Sequence, residues 1–157
     1  RLSSSAAVPA FTAIPLDENT EESMGLTYVR ATAGRPGGRG RPINVRFLVD
    51  TGAVYTVLPD SIWRALKLKP QRTLEFTLAD GTTIIRAVSE CRFTIEGQSA
   101  TSPVVLGASE DGPLLGAVTL ETLGLMVNPL SRELLPMRLM LARLGYAREA
   151  LTLPRSR

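Results

Sequence analysis

The sequence contains no histidine and only one cysteine, Cys91, in 157 residues. The lack of histidine excludes a Ser-His-Asp triad, a Cys-His pair and a histidine-bound metal. One cysteine can form neither an internal disulfide bond nor a cysteine-rich zinc site. These absences exclude several of the commonest catalytic and structural centres.

Long hydrophobic runs are also absent. No stretch approaches the ~18 uncharged apolar residues that a membrane-spanning helix needs, and the small, mildly apolar segment from Ser3 to Ala13 is too short for a signal peptide and contains Pro9. We therefore expect a cytoplasmic protein without a membrane segment in this chain. The chain begins with Arg1 rather than Met, so anchoring by an upstream segment stays open.

Lysine is scarce, whereas arginine is abundant. The chain has 18 basic and 15 acidic residues, a formal net charge of +3, and Lys67 and Lys69 are its only lysines. Codon bias in a GC-rich genome explains such a composition, and an arginine-based nucleic-acid surface is the alternative. No nucleic-acid partner is expected from so mild an excess of positive charge.

The remaining composition is that of one globular domain, with 44% hydrophobic residues. Residues 1–23 are rich in serine and alanine and then acidic, without a period of 2 or 3.6, and are predicted to be a poorly ordered tail. Residues 24–136 are predicted to form the domain and residues 137–157 a C-terminal extension. Within the extension, the pattern at 139–144 fits either a helix or a strand.

Strand-like segments and turn residues alternate through the domain. Short strands at this spacing predict an all-β barrel or sandwich, with one or two short helices, one following Pro59 and one at Thr119–Leu123 capped by Gly124. Two further short strands are predicted at 54–58 and 114–116. The predicted hairpins are 26–32 with 43–49, 72–78 with 82–88 around Asp80-Gly81, 92–95 with 102–106 around Glu96-Gly97, and 125–127 with 133–135 around Asn128-Pro129.

The loop of the first hairpin, residues 34–42, reads Gly-Arg-Pro-Gly-Gly-Arg-Gly-Arg-Pro. Its glycines and prolines are typical of a turn. A mobile loop is one interpretation, and an RNA-binding Arg-Gly patch is the other.

The most informative segment is Phe47-Leu-Val-Asp-Thr-Gly-Ala53. Here a carboxylate follows three apolar residues at the end of a strand, where a charge is costly unless something satisfies it. Gly52 allows backbone N–H groups to come close to the Asp50 carboxylate, and the Thr51 hydroxyl could brace the loop. An aspartate that caps a turn after a strand is common, so this segment alone is not specific.

The order of the surrounding segments makes it more specific. Leu114-Leu-Gly116 is a second apolar-apolar-Gly element 66 residues after Asp50, a short helix follows it, and a hairpin through Leu78–Thr83 lies between. In these features the chain, from about Met24 to Leu135, resembles the retropepsins, the retroviral-type aspartic proteases, and especially their cellular and prokaryotic branch. The resemblance implies a closed retropepsin-like acid-protease barrel with one lobe per chain, in which the hairpin is the flap. It also implies aspartic endopeptidase activity without a metal or organic cofactor.

Hydrolysis of a peptide bond by carboxylates needs a base for the water and an acid for the leaving group. Two carboxylates about 3 Å apart share one proton and so fill both roles. The chain has a single Asp-Thr-Gly and no Asp-Ser-Gly, so the second carboxylate must come from the Asp50 of another copy across a two-fold axis. Homodimerisation is therefore predicted as a requirement for activity on a peptide or protein substrate.

The resemblance also implies roles for individual residues. Asp50 would activate the water, Thr51 would hydrogen-bond across the dimer axis, and Gly52 would allow close backbone approach. Leu48 and Leu114 would help line pockets for large apolar or aromatic side chains. The full prediction is Asp50, Thr51 and Gly52 for catalysis, and Leu48, Ala53, Leu78, Ala79, Asp80, Gly81, Thr82, Leu114, Leu115 and Gly116 for substrate binding.

Three positions depart from the patterns of related enzymes. Many pepsin-type enzymes have a serine or threonine at the position of Ala53, whose hydrogen bond favours the charged carboxylate. Because alanine lacks it, we expect a mildly acidic to near-neutral pH optimum. Val54 and Ala117 stand where viral members commonly have an acid and an arginine that pair, so both partners are missing together.

Two other functions remain open. The first is a catalytically silent dimer of the same fold that binds extended peptides or scaffolds a partner, against which the intact Asp-Thr-Gly argues. The second is an RNA-associated protein that uses the Arg-Gly loop, which a steep salt dependence of RNA binding would support.

Overall fold

The computed structural model describes residues 14–15 and 26–138 of the chain. In this part of the chain the regular structure is mostly β-strand, and its two α-helices have six residues each. The helices are α1 (Asp60–Ala65) and α2 (Ala117–Thr122). The strands are β1 (Ile14–Pro15), β2 (Tyr28–Gly34), β3 (Ile43–Val49), β4 (Thr56–Leu58), β5 (Arg72–Thr77), β6 (Thr83–Ile95), β7 (Gln98–Leu106), β8 (Leu114–Leu115), β9 (Leu125–Asn128) and β10 (Glu133–Pro136).

Six strands form a closed ring in the order β2-β3-β8-β4-β7-β6, because β6 also pairs with β2. Strand β6 makes this closure possible by its length: its first half pairs with β5, and its second half pairs with β2. Closure leaves no free edge between β2 and β6. The prediction of an all-β fold with a closed sheet and one or two short helices is confirmed.

The two-residue strand β8 lies between β3 and β4. It runs parallel to β3, with Leu48 opposite Leu114 and Val49 opposite Leu115, and antiparallel to β4. This insertion brings the end of β3 beside the start of α2, although the two are more than 60 residues apart in the sequence. The site described below is built at that meeting point.

The inside of the ring is the hydrophobic core. Alternate residues of β2 and β3 point inward, as the period of two requires. Phe47 of β3 and Phe93 of β6 are fully buried and meet edge to face, with ring centroids 5.9 Å apart. Leu125 and Leu134 join the small sheet β1-β10-β9 to this core.

Two predicted turns are confirmed in detail. Glu96 and Gly97 have φ values of 45° and 79° and connect β6 directly to β7, as a two-residue hairpin turn requires. Gly124 follows α2 with φ 70° and donates its N–H to the Glu121 carbonyl oxygen at 2.9 Å. It is therefore the C-terminal cap that the sequence predicted.

The predicted two-residue turn at Asp80-Gly81 is wrong. The loop has three residues, Ala79 to Gly81: Gly81 N–H donates to the Leu78 carbonyl oxygen at 2.9 Å, and Leu78 N–H donates to the Thr82 carbonyl oxygen at 2.7 Å. A two-residue turn of the expected type needs positive φ at both central residues, but only Gly81 has it (84°).

Other element boundaries also differ from the sequence prediction. The segments expected at 82–88 and 92–95 are one continuous strand, β6, and α2 begins two residues before Thr119. Strand β4 is shorter at its start than the predicted 54–58, because the preceding residues belong to the loop that follows Asp50.

Strand β1 lies within the stretch predicted as a tail and pairs with β10. The rest of that stretch and the region 139–144 lie outside the described residues, and the domain boundaries stay predictions. Neither helix in the described part of the chain is long and apolar enough to cross a membrane.

Candidate active site

Asp50 follows the last residue of β3 and opens an exposed loop. Its backbone N–H donates to the Leu115 carbonyl oxygen at 3.1 Å, which fixes the residue against β8. Its carboxylate Oδ1 accepts a hydrogen bond of 2.9 Å from the Gly52 N–H. Gly52 therefore satisfies this carboxylate through its backbone N–H, as the sequence predicts.

The conformation of the loop limits what Gly52 could be replaced by. A Cβ atom on Gly52 would lie 3.2 Å from Asp50 Oδ1. A larger residue would therefore crowd the carboxylate that the Gly52 N–H holds. Thr51, between the two, has an exposed side chain.

Gly116 supports the loop from behind. A Cβ atom on Gly116 would lie 2.5 Å from the Tyr55 carbonyl carbon and 2.6 Å from its oxygen, which no side chain can do without moving the backbone. The Gly116 N–H donates to the Thr56 hydroxyl at 3.0 Å. The second apolar-apolar-Gly element thus packs directly against the segment that follows Asp50.

A buried cluster of three hydroxyls lies beneath this contact. Thr56, Thr119 and Ser102 are each at most 1% exposed. Thr56 Oγ1 and Thr119 Oγ1 are 2.6 Å apart, and Ser102 Oγ is 3.0 Å from Thr119 Oγ1. The cluster joins β4, β7 and α2 through side chains that satisfy one another, as buried polar groups must.

No motif in the sequence indicates this cluster. The available signal was weak: Thr56 shares a strand face with Leu58, and Ser102 shares one with Val104, so both hydroxyls fall on positions that the alternation assigns to the core.

The first amides of α2 also hold the loop. Ala117 N–H donates to the Ala53 carbonyl oxygen at 2.8 Å, and Val118 N–H donates to that of Val54 at 3.1 Å. A helix leaves its first N–H groups without partners inside the helix, and here the loop carbonyls supply them. Val54 and Ala117, where viral members have a charged pair, thus lie in segments joined by backbone hydrogen bonds.

A cleft of about 580 Å³ opens beside the Asp50 loop. One wall is the loop itself, from Gly52 to Tyr55, and the other is the hairpin of β5 and β6, including Phe76 and Leu78. Tyr55 and Phe76 meet edge to face across it, with centroids 6.2 Å apart. The lining is mainly apolar, so the cleft suits large apolar side chains.

One charged pair borders the cleft. Arg86 of β6 lies 3.9 Å from Asp111 in the loop before β8, and Asp111 also accepts the Ala108 N–H at 2.7 Å. The pair ties the base of the hairpin to that loop. No pattern in the sequence links Tyr55, Phe76, Arg86 and Asp111, because only the folding of the strands and loops brings them to one cleft.

The predicted substrate-binding residues fall into three places. Ala53 and Leu78 line the cleft with Gly52, and Leu78 is 43% exposed. The turn residues Ala79, Asp80, Gly81 and Thr82 are exposed at the hairpin tip. Leu48 and Leu114 are half-buried partners on β3 and β8, whereas Leu115 and Gly116 are buried behind the loop.

Two carboxyl groups outside the Asp50 loop have a pKa below the ordinary value. The Thr82 N–H, which donates to Asp80 at 2.8 Å, lowers the pKa of Asp80. Hydrogen bonds from its own backbone and from the Ser109 hydroxyl lower the pKa of Glu110. No group of three acidic or cysteine side chains in residues 26–138 is placed to hold a metal ion.

Several solved structures are similar to this chain. EIAV protease in complex with the inhibitor HBY-793 is 19% identical, with a TM-score of 0.48 over 67% of this chain and 94% of that one. A retropepsin-like aspartic protease from Rickettsia conorii is 21% identical, with a TM-score of 0.47 over 74% and 83% of the two chains. Simian Foamy Virus (mac) protease is 19% identical, with a TM-score of 0.39 over 56% and 87%.

No curated protein matches the chain significantly. A protein-family model, described as "gag-polyprotein putative aspartyl protease", matches residues 39–122. The match covers more than half of the chain and includes the Asp50 loop, the hairpin and the Gly116 element. The chain therefore belongs to this family of retropepsin-like aspartic proteases.

Proposed function

We propose that the protein is a homodimeric aspartic endopeptidase whose two Asp50 carboxylates, one from each subunit, activate the attacking water. The observation that carries the proposal is the Asp50 loop: an exposed carboxylate, held at Oδ1 by the Gly52 N–H, beside an apolar cleft of about 580 Å³. A loop with a purely structural role does not need a carboxylate that faces solvent there.

Two subunits are needed because each contributes half of the catalytic pair. The chain has one Asp-Thr-Gly, and a lone carboxylate cannot be both base and acid at the same moment. When two such groups lie about 3 Å apart they share one proton, since both cannot be ionised. The charged one removes a proton from water, and the protonated one serves the leaving amine.

The neighbouring residues would keep this pair in register. In the proposal Thr51 hydrogen-bonds across the dimer axis, and Gly52 lets the substrate backbone come close. Gly116 and the hydroxyl cluster of Thr56, Thr119 and Ser102 support the loop rigidly from behind. Rigid support matters because a misplacement of about 1 Å is costly in catalysis.

The substrate class follows from the cleft. An extended peptide between the loop and the β5–β6 hairpin would bind through main-chain hydrogen bonds and place alternate side chains in pockets. The apolar lining, with Tyr55 and Phe76, favours large apolar or aromatic residues near the scissile bond. The turn from Ala79 to Thr82 would close over it, and Leu48 and Leu114 would border the central pockets.

The decisive experiment compares the wild type with Asp50→Asn on a peptide library at high protein concentration, so that a weak dimer is populated. Asp60→Asn is the matched control, because it removes the same charge from helix α1, outside the Asp50 loop and the cleft. We expect cleavage by the wild type and by Asp60→Asn, and none by Asp50→Asn.

Equal cleavage by all three proteins would overturn the assignment of Asp50. Peptide binding without cleavage by the wild type would instead support a catalytically silent binding module of the same fold.

A further inference from the structure

The side of the β5–β6 hairpin that faces the cleft carries a positive charge. The register places Leu74 and Phe76 of β5 opposite Arg86 and Ile84 of β6, and all four residues line the cleft. They share one face of the hairpin, as alternate positions on paired strands do, and Arg86 is the charged member of the four. A cation on a half-buried apolar face costs free energy unless an anion or an acceptor compensates it.

Arg86 is only partly compensated by the residues that the structure describes. Its Nε lies 3.9 Å from Asp111 Oδ2, which is beyond hydrogen-bonding distance. Its Nη1 donates to the Ile85 carbonyl oxygen at 3.3 Å. A guanidinium has five N–H donors, so these two contacts use at most two of them. The side chain is 29% exposed, and a substrate in the cleft would displace the water that satisfies the others.

The acids near Arg86 do not use up its charge. Asp111 Oδ2 also accepts the Ala108 N–H at 2.7 Å, so this oxygen is shared between two donors. Arg86 acts on Glu110 through its charge, but Glu110 is exposed, and solvent screens the interaction. Glu75 borders the cleft, but it is exposed, and the alternation along β5 puts its side chain on the other face of the hairpin. The cleft therefore contains a cation with hydrogen-bonding capacity to spare.

We propose that Arg86 is a specificity-determining residue that selects a glutamate side chain in the substrate, next to the large apolar residues at the scissile bond. A carboxylate fits the planar fork of a guanidinium with two parallel hydrogen bonds. The methylene groups of glutamate would pack on Leu74 and Ile84. This inference rests on the proposed function, because it specifies the substrate class of the same cleft. In a two-fold dimer each subunit contributes one Arg86, so the preference should occur on both sides of the scissile bond.

A basic side chain in the substrate is the opposite possibility. It would bind Asp111, but Asp111 already holds the Ala108 N–H and lies beside Arg86. The newcomer would therefore compete with two donors for one oxygen and would meet the like charge of Arg86. The contacts favour an acidic side chain for this reason.

The test measures kcat/KM for pairs of peptides that differ only in glutamate or glutamine, scanned through each position of a parent peptide rich in leucine and phenylalanine. Glutamine has the shape of glutamate without its charge, so the ratio within a pair isolates the charge. The variants are Arg86→Gln and Asp111→Asn. Arg72→Gln is the matched control, because it removes the same charge from an exposed position of the same hairpin, outside the cleft.

We expect the wild type to prefer glutamate over glutamine about tenfold at a position on each side of the scissile bond, since hydrogen bonds between charged groups are about twice as strong as neutral ones. Arg86→Gln should bring this ratio close to one. Asp111→Asn should raise it, because asparagine keeps an oxygen for the Ala108 N–H but no longer competes for Arg86 as an anion. Arg72→Gln should keep the wild-type ratio.

A binding measurement separates this inference from the proposed function. The labelled peptide pairs are titrated with Asp50→Asn and with the double variant Asp50→Asn, Arg86→Gln, and fluorescence anisotropy gives the dissociation constants. If the wild type cleaves nothing, the endopeptidase proposal fails. Tighter binding of the glutamate peptide by Asp50→Asn, about tenfold and lost in the double variant, would still support selection by Arg86.

Other results would overturn the inference. An equal loss for the glutamate and glutamine peptides in Arg86→Gln would mean that the pair with Asp111 has only a structural role. A preference for lysine peptides that Asp111→Asn abolishes would make Asp111 the selecting residue. The absence of a glutamate preference in both cleavage and binding would remove the role of Arg86. Thermal unfolding of each variant verifies that it is folded.

Discussion

At the scale of single residues, Thr56 supports the Asp50 loop from behind. Its hydroxyl accepts the Gly116 N–H, contacts Thr119 Oγ1 at 2.6 Å, and is fully buried. Removing one partner from a buried hydrogen bond leaves the others unsatisfied, which costs more than the bond itself contributed. The Asp50 loop therefore gains support from a side chain that does not line the cleft.

Thr56→Val should therefore lower the free energy of unfolding by about 1–3 kcal/mol and reduce the rate of peptide cleavage. Valine keeps the shape but leaves the Gly116 N–H and the Thr119 hydroxyl without that partner. Urea unfolding and a cleavage assay measure the two effects. Thr94→Val is the control, because its hydroxyl bonds to Ser99 on the exposed face, and it should change stability by less than about 0.5 kcal/mol. Similar losses in both variants would contradict this role of Thr56.

Ala53 is expected to influence a second property, the pH dependence of the proposed activity. It lines the cleft next to the Asp50 loop and has no hydroxyl to donate to a carboxylate. Ala53→Ser should move the acidic limb of the pH–rate profile to lower pH, because the new donor would favour the ionised form of a catalytic carboxylate. The wild type should have its optimum at mildly acidic to near-neutral pH. An optimum at strongly acidic pH in the wild type would contradict the interpretation.

Cys91 is buried, and burial raises the pKa of its thiol to about 12. The thiol donates to the Gly34 carbonyl oxygen at 3.2 Å. In the unfolded chain the thiol loses its proton near its ordinary value of 9.0, whereas the folded protein keeps it up to about 12. The contribution of Cys91 to stability is thus complete below pH 9 and falls as the pH rises toward 12.

The difference in unfolding free energy between the wild type and Cys91→Ala should therefore shrink as the pH rises from about 8 to about 10.5. The alanine variant has no thiol to titrate, so the comparison removes the contributions of tyrosine and lysine. Urea unfolding at the two pH values measures it. A difference that stays constant would contradict the raised pKa.

At the scale of elements, the hairpin of β5 and β6 forms one wall of the cleft, and Gly81 at its tip has φ 84°. Gly97, in the turn between β6 and β7, has φ 79° and also has nothing near its absent Cβ. The two glycines therefore have the same local strain on substitution but different distances from the site. This makes them a natural pair for a comparison.

Gly81→Ala and Gly97→Ala should each cost about 1–2 kcal/mol of stability, because a side chain is strained at positive φ. Only Gly81→Ala should also raise KM for a peptide, since its turn is the proposed flap. Denaturant unfolding and steady-state kinetics separate the effects. An unchanged KM in Gly81→Ala, or an equal rise in Gly97→Ala, would argue against a flap at this hairpin.

The elements also differ in how well the sequence predicts them. The Glu96-Gly97 turn and the Gly124 cap follow from local chemistry, and the structure has both. The predicted length of the turn at Asp80-Gly81 is wrong by one residue. The same dipeptide also fits a three-residue loop in which only the glycine has positive φ. The uninterrupted course of β6 depends on pairing first with β5 and then with β2, which no local pattern contains.

The candidate site divides in the same way. The sequence indicates Asp50 because it stands in an Asp-Thr-Gly segment at the end of an apolar strand. It indicates Gly52 and Gly116 because a position beside a carboxylate or against a crowded backbone has little room for any residue larger than glycine. The cluster of Thr56, Ser102 and Thr119 could not, because each residue type is common and only the closed ring brings them together.

At the scale of the whole molecule, each subunit of the proposed dimer depends on its partner for the second catalytic carboxylate. When wild type is refolded together with a ninefold excess of Asp50→Asn, about nine in ten wild-type subunits should pair with a variant. Cleavage at constant wild-type amount should then fall about tenfold. The same excess of Asp60→Asn should raise cleavage instead. Activity unaffected by co-refolded Asp50→Asn would show that a single subunit suffices.

The insertion of the two-residue strand β8 between β3 and β4 has a consequence for biosynthesis. Asp50 is translated before its supports at Leu115, Gly116 and Thr119, which follow more than 60 residues later. In a nascent chain the loop that carries Asp50 therefore lacks these supports until β8 and α2 have left the ribosome. In the proposed dimeric enzyme, the order of translation would therefore keep an unfinished polypeptide from presenting a supported Asp50 loop to a partner.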